Sequence, residues 1–283
     1  MKVGLVCEGG GTKAAYTSAA LQALLDNDII VPYAVGISAG AENLLPYVSR
    51  QRERLSVTGL DAASNPGAVG IRPLIKEHGL FGLEETVRFI EERAPLDYNT
   101  FFNSETALDI GLYNLDTGKI EYFSKDYLDH NQTLLKASCA LCLLAKPYYF
   151  NGGLYMDAGL IDMISIEQSI KAGCERHIVI STKDAGYVRK PAPGYQIALA
   201  KHFYKKYPHV AENLKKRHLY YAEQWGKVKE LETQGKALVL RPSQDMGISR
   251  YTTSRAKLEP WFKLGYDDTQ KRIEEIKQFI AGK

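Results

Sequence analysis

Ser38 stands inside the stretch Ala-Val-Gly-Ile-Ser-Ala-Gly, residues 34–40. Its G-x-S-x-G pattern fits a sharp strand-to-helix elbow that holds a serine hydroxyl above a sheet. The pattern is short enough to arise by chance, so its surroundings must carry the argument. A serine that attacks an acyl carbon needs donors for the oxyanion and a base for its own proton. Gly9, Gly10 and Gly11 supply the first: consecutive N–H groups in a glycine loop before a helix combine hydrogen-bond donors with the positive end of the helix dipole. The base is less plain. Of six histidines, His78, His130, His177, His202, His209 and His218, none has a distinguishing context; His177 precedes an apolar strand, and the last three lie among lysines. A carboxylate is the other solution. Asp157 follows a hairpin-like turn and precedes Ala158 and Gly159, small residues that let a side chain face a crowded site.

Those residues fall at junctions between elements. Residues 2–8 read as a buried strand, 14–28 as a helix, 29–36 as a second buried strand and 38–55 as a second helix, so Ser38 lies at a strand-to-helix boundary. Residues 56–82 are irregular and read as a connection near the active-site face. Further along, 82–93 is an amphipathic helix, 106–124 an antiparallel strand pair turning at Asp116–Gly118, and 133–145 a nearly all-apolar helix stopped by Pro147. A tight hairpin bending at Asn151–Gly153 comes next, then a short helix at 165–173 and a core strand at 176–182. Alternation of this kind predicts an α/β fold of three layers, α/β/α, around a mostly parallel central sheet. From about residue 187 the chain becomes basic, aromatic and largely helical, with one more strand at 237–243 and a terminal helix at 268–283. We expect residues 1–190 to form the catalytic core and 191–283 a helical region packed on it as one globular unit, since no linker separates them.

The blocks "CEGGGTKAAY", "GISAG" and "MDAGL", in that order, resemble the three signature blocks of the patatin-like phospholipases. The stretches 136–160 and 160–173 resemble the family's apolar lead into the aspartate hairpin and the segment after it. The resemblance covers roughly residues 1–190 and implies a patatin-like fold, Ser38 as nucleophile, Asp157 as its only catalytic partner, and an oxyanion hole from the backbone of Gly9, Gly10 and Gly11. It also implies a serine lipid acyl hydrolase of the phospholipase A or esterase type. Ala14 and Ala158 replace glycines of the family pattern, both with small residues. Lys13 occupies a position where the family carries Lys or Arg, and its role is left open between substrate contact and bracing of the loop.

Other readings compete at each point. Neither the P-loop nor the dinucleotide pattern fits the glycine run, because Ala14 follows Lys13 and no ribose-binding acid closes the second strand. A net charge of +3 is too small to argue for nucleic acid, and no RNA-binding module is present. No metal or cofactor is called for: no ligand pair at metal-site spacing completes Cys139 and Cys142, and with Cys7 and Cys174 they read as reduced core thiols. The basic aromatic stretch from Arg189 to Tyr221 reads either as a peripheral contact with an anionic membrane surface or as a solvated helix face with its aromatics packed inward. Leu135, Leu141, Leu143 and Leu144 read as core, with an acyl groove as the alternative. No 18-residue apolar run and no secretory leader is evident, so a cytoplasmic protein is expected. The expected partner is a lipid or acyl-ester substrate. The rival functions are a carboxylesterase or thioesterase on soluble acyl esters and a non-catalytic lipid-binding protein; oligomeric state is not legible.

Overall fold

Strand β1 (Val3–Cys7) is buried along its whole length, as a short apolar run paired on both edges must be. In this computed structural model, which describes residues 1–282, β1 pairs in parallel with β2 (Tyr33–Gly36) and with β7 (Arg176–Ile180). The parallel set extends from β2 to β3 (Ala107–Asn114) and from β7 to β8 (Ala237–Leu240). Three antiparallel strands finish one side: β4 (Ile120–Ser124) on β3, β6 (Gly153–Asp157) on β3, and β5 (Tyr148–Phe150) on β6. The sheet is therefore mixed, parallel at its centre and antiparallel at one margin.

The helices in chain order are α1 (Ala15–Asp26), α2 (Ala39–Val48), α3 (Arg52–Ser56), α4 (Ile71–Lys76), α5 (Leu83–Arg93), α6 (Tyr98–Asn103), α7 (Thr133–Cys139), α8 (Ile166–Lys171), α9 (Gly194–Phe203), α10 (His209–Thr233), α11 (Arg255–Gln270) and α12 (Ile273–Ala281). Strand side chains alternate between two cores. Leu5, Cys7, Ala34, Ile178, Ile180, Leu238 and Leu240 pack with residues of α1, α2, α11 and α12; Val6, Val35, Val179 and Val239 pack with α8 and α10. Two apolar faces covered by two sets of helices make the expected three layers.

The register of β3 places the site. Asp109 and Ile110 pair at once with β2 and β4, while Leu112 and Tyr113 pair at once with β4 and β6. A strand has two edges, so β2 and β6 share the edge opposite β4. Gly36, two residues before Ser38, faces Ile110, and Asp157 faces Leu112. The ends of β2 and β6 thus meet on one edge of β3.

Three expected elements differ. The helix read over 38–55 is broken between α2 and α3, where Arg50 takes a left-handed φ of +61°. The apolar helix read over 133–145 ends at Cys139, because the next carbonyls are engaged elsewhere: Ala140 O accepts from Asp157 N–H at 3.0 Å, and Leu144 O from Leu80 N–H at 2.6 Å. Residues 56–82 are only partly irregular, holding a π-helical turn at Val57–Ala62 and α4. Helix α11, which polar residues and Pro260 conceal in the sequence, packs tightly along α1: a Cβ on Gly265 would fall 2.4 Å from Tyr16 O, and fully buried Trp261 gives its indole N–H to Lys13 O at 2.8 Å.

Candidate active site

The elbow is strained where chemistry would need it. Ser38 has φ +54° and ψ −139°, a region that a non-glycine residue occupies only when its surroundings enforce it. The enforcement is visible. Ser38 N–H donates to Ser138 Oγ at 2.9 Å, and Ser138 Oγ donates to Gly111 O of β3 at 3.0 Å. Beneath the turn a Cβ at position 40 would lie 2.4 Å from Cys7 O, so only glycine allows α2 to start so close to β1.

Asp157, at the end of β6, is buried beside this elbow. Its Oδ1 accepts from Gly159 N–H at 2.6 Å, whereas Oδ2 is buried with no hydrogen-bond partner. Burial raises the pKa of this carboxyl above the ordinary range; the nearby Ser38 hydroxyl, the Gly159 amide, Arg217 and Arg250 hold back that rise. Ser38 is near enough to favour the ionised form, yet its hydroxyl does not close a full hydrogen bond to Oδ2.

Ser38, Asp157 and Gly9–Gly11 line one cavity of about 210 Å³. The glycine loop runs against the elbow, since a Cβ on Gly9 would lie 3.1 Å from Ser38 Cβ. Among the described residues no protein acceptor takes the N–H of Gly9, Gly10 or Gly11. Behind the loop Glu8 is wholly buried and accepts from Ser181 Oγ (2.6 Å), Thr182 N–H (3.0 Å), Lys183 Nζ (3.1 Å) and Tyr221 OH (3.1 Å). Burial disfavours its charge, but Lys183, the Ser181 hydroxyl and the Thr182 amide outweigh it and hold the carboxyl below its usual pKa. None of the six histidines lines this cavity or the apolar cleft beside it. His177 is buried against Ser169 Oγ at 2.8 Å, and burial pushes its pKa down to about 4.

An apolar cleft of about 80 Å³ opens from the other side of Ser38, walled by Ala39, Ala62, Ala63, Ala68, Val69, Phe81, Leu83 and Leu141. Much of that wall comes from the segment 56–82. Leu141 borders both cavities, Leu143 and Leu144 line a larger outer cavity of about 500 Å³, and Leu135 belongs to the core. Cys139 also borders the cleft rather than the core interior, and all four cysteines are free. Among the described residues Glu42 is the one charged group on the cleft wall, and burial there pushes its pKa up to about 7 against the pull of Arg54.

Sequence reasoning did not single out Ser138, Glu42 or the face of α10 that holds the site. Arg217, Tyr221 and Gln224 follow helical spacing. Arg217 Nε donates to Gly159 O at 2.5 Å; Gln224 donates to Ile161 O and accepts from Met163 and Ile164 N–H; Tyr221 reaches Glu8. One helix face therefore clamps both the aspartate loop and the root of the glycine loop. In the sequence Arg217 looks like one more residue of a basic run, but Lys205, Lys206, Lys215 and Lys216 are exposed while Arg217 turns inward. The aromatics of the run divide: Tyr204 and Tyr221 are buried, and Phe203 is 68% exposed. Lys13 lines the cavity with Nζ 5.4 Å from the Trp261 ring centre.

Elbow, glycine loop and aspartate hairpin at the carboxyl ends of the central strands define a patatin-like α/β hydrolase fold. The family model for patatin-like phospholipases matches residues 5–170, more than half of the sequence, and the chain belongs to that family. A second model, a domain of unknown function (DUF6363), matches residues 207–281. Among curated proteins the chain is similar to the uncharacterized protein YjjU of Escherichia coli K12, with 23% identity over 195 residues, covering 64% of this chain and 52% of that protein. The chain thus spans about half the length of that relative. Among solved structures it resembles VipD from Legionella pneumophila (TM-score 0.51, 14% identity, 97% of this chain and 67% of that one). It also resembles human group IVD cytosolic phospholipase A2, solved with a methyl γ-linolenyl fluorophosphonate inhibitor (TM-score 0.51, 13% identity, 99% and 59%). At these identities the two structures speak for the fold.

Proposed function

We propose that this chain is a serine lipid acyl hydrolase of the phospholipase A or esterase type, cleaving carboxylic esters with Ser38 and Asp157 and no histidine. One observation carries the reading: a strained serine elbow and a buried carboxylate with a free Oδ2 border the same cavity as three glycine N–H groups without protein acceptors. A buried unpartnered carboxylate oxygen is costly and calls for a role. In the reaction, Ser38 Oγ attacks the ester carbonyl and Asp157 takes its proton, while the carbonyl oxygen, now negative, is held by the glycine loop. Collapse expels the alcohol, which takes the proton from Asp157, and leaves an acyl-serine. Water, deprotonated by the same carboxylate, then releases the acid and restores Ser38. The raised pKa of Asp157 makes it a better base than an exposed aspartate.

The apolar cleft beside Ser38 supports an acyl chain as the group bound there. Four free thiols suit the reducing cytoplasm, and no helix among the described residues is long and apolar enough to cross a membrane. Exposed Phe203 beside Lys201, Lys205 and Lys206 supports peripheral contact with anionic lipid, which co-sedimentation with and without phosphatidylglycerol vesicles tests. The function is tested by labelling the protein with an alkyl fluorophosphonate and mapping the adduct by mass spectrometry. A single adduct on Ser38, absent in Ser38→Ala, is expected; an unlabelled protein without ester turnover would refute the assignment.

A further inference from the structure

The cavity around Ser38 is more positive than ester cleavage requires. Lys13, Lys183, Arg189, Arg217 and Arg250 line it, and among the described residues Asp157 is the one carboxylate on its wall. Lys183 is paired with Glu8, but among the described residues none of the three arginines has a carboxylate oxygen within 4.0 Å. Each is held by other means. Arg217 Nε is bound to Gly159 O at 2.5 Å, and its Nη2 lies 3.6 Å from where a Gly159 Cβ would stand. Arg189 packs on Tyr221, 4.5 Å from the ring centre, with Nε buried and without a partner. Arg250 is fixed through its carbonyl, which accepts from Thr12 N–H of the glycine loop at 3.3 Å. Burial, then the neighbouring Arg189 and Arg250, depress the pKa of Arg217, as expected where cations crowd one another.

Gathering three partly buried guanidiniums around the buried carboxylates of Asp157 and Glu8, with none of the three in ion-pair contact with either, is unfavourable unless a further anion completes the set. Guanidinium forks match the oxygens of phosphate, and three of them can address three oxygens. We propose that Arg189, Arg217 and Arg250 form an anion subsite, and that the substrate is an acyl ester whose alcohol half carries a phosphate monoester. The proposal rests on Ser38 being the acyl acceptor. Two features narrow the class. Arg217 Nε is bonded to the carbonyl of the residue two after Asp157, and Arg189 and Arg250 border the same cavity of about 210 Å³ as Ser38, so the phosphate sits a few bonds from the ester, as in a glycerol phosphate, not at the far end of a long carrier. Three guanidiniums also favour a dianion over a phosphodiester whose head group ends in an ammonium. All three residues lie outside the matched patatin region, and two lie within residues 207–281, so the subsite gives the domain of unknown function a task.

The test uses binding by the full-length Ser38→Ala protein, which removes turnover. Calorimetry compares a monoacylglycerol 3-phosphate, the monoacylglycerol of the same chain, the corresponding lysophosphatidylcholine and inorganic phosphate, all below aggregation. We expect the phosphate monoester to bind roughly 10²-fold more tightly than either other lipid. Adding Arg189→Gln and Arg250→Gln should bring that ratio down to a few-fold, with Arg189→Lys and Arg250→Lys in between. Equal affinity for the three lipids in Ser38→Ala would overturn the proposal whatever the arginine variants do. Inorganic phosphate binding as tightly as the acylated phosphate would also overturn it, since the subsite would then hold a free anion and not a substrate. Failure of fluorophosphonate labelling with the binding preference intact would instead remove only the nucleophile assignment.

Discussion

Residues 5–170 and residues 187–281 contribute different things to one site. The first region brings every proposed reacting atom: the glycine N–H groups, the Ser38 hydroxyl and the Asp157 carboxylate, set by backbone that is tight enough to exclude side chains at Gly40 and Gly9. The second brings none, but it supplies the arginines, the face of α10 that clamps both loops, and α11, whose Trp261 reaches the carbonyl of Lys13. Chemistry is encoded in short stretches of chain, whereas charge and rigidity around it come from far along the sequence.

The comparison can be broken by changing one residue on each side. Ser38→Ala should lower ester turnover by at least about 10³-fold while leaving the melting temperature close to wild type, since the hydroxyl makes no bond that holds the elbow. Trp261→Ala, in the second region, should do the reverse in kind: about 3–5 kcal/mol less stability in denaturant titration, from the cavity left against Tyr16. Equal loss of activity at temperatures where both variants are folded would show that the second region does more than position. Asp157→Asn should cost on the order of 10²-fold in kcat. It should also raise the melting temperature at pH 7. Burial raises the folded pKa of Asp157 above its unfolded value, so its ionised form opposes folding; as pH falls below the folded pKa the gain from Asn shrinks, and it is gone below the unfolded pKa of about 3.9. Tyr221→Phe removes one of four donors to Glu8 and should cost about 1 kcal/mol of stability with a smaller change in rate. The smallest effect concerns the cleft. Glu42, with a pKa pushed to about 7, is neutral below that pH and charged above it, so KM for a long-chain ester should rise as pH passes 7. Glu42→Gln should flatten that rise, and a short-chain ester should show little of it.

Particular residues show how far the sequence reached. The strands around the glycine loop and the elbow were legible because a buried parallel strand is a continuous apolar run and a glycine cluster marks where it stops. The helix over 133–145 was overread: its apolarity is real, but Ala140 and Leu144 give their carbonyls to residues distant in sequence, which no local period reports. Helix α11 was missed for the opposite reason: its buried face is a narrow stripe of Leu258, Trp261, Gly265, Asp268 and Thr269, of which only two are large apolar residues, and Pro260 stands inside the helix.

Taken alone, the sequence determined the layer order, the serine elbow, the donor loop and, through its family resemblance, the aspartate. These depend on residues within a few positions of one another, where glycine and proline restrict the backbone directly. Only the tertiary structure decided that β2 and β6 end on the same edge of β3, that Ser138 ties the elbow to Gly111, and that Arg217 faces Gly159 while the lysines beside it face water. A basic run tells which residues carry charge. Which of them turns inward depends on contacts made across dozens of residues, and those exist only once the chain has folded.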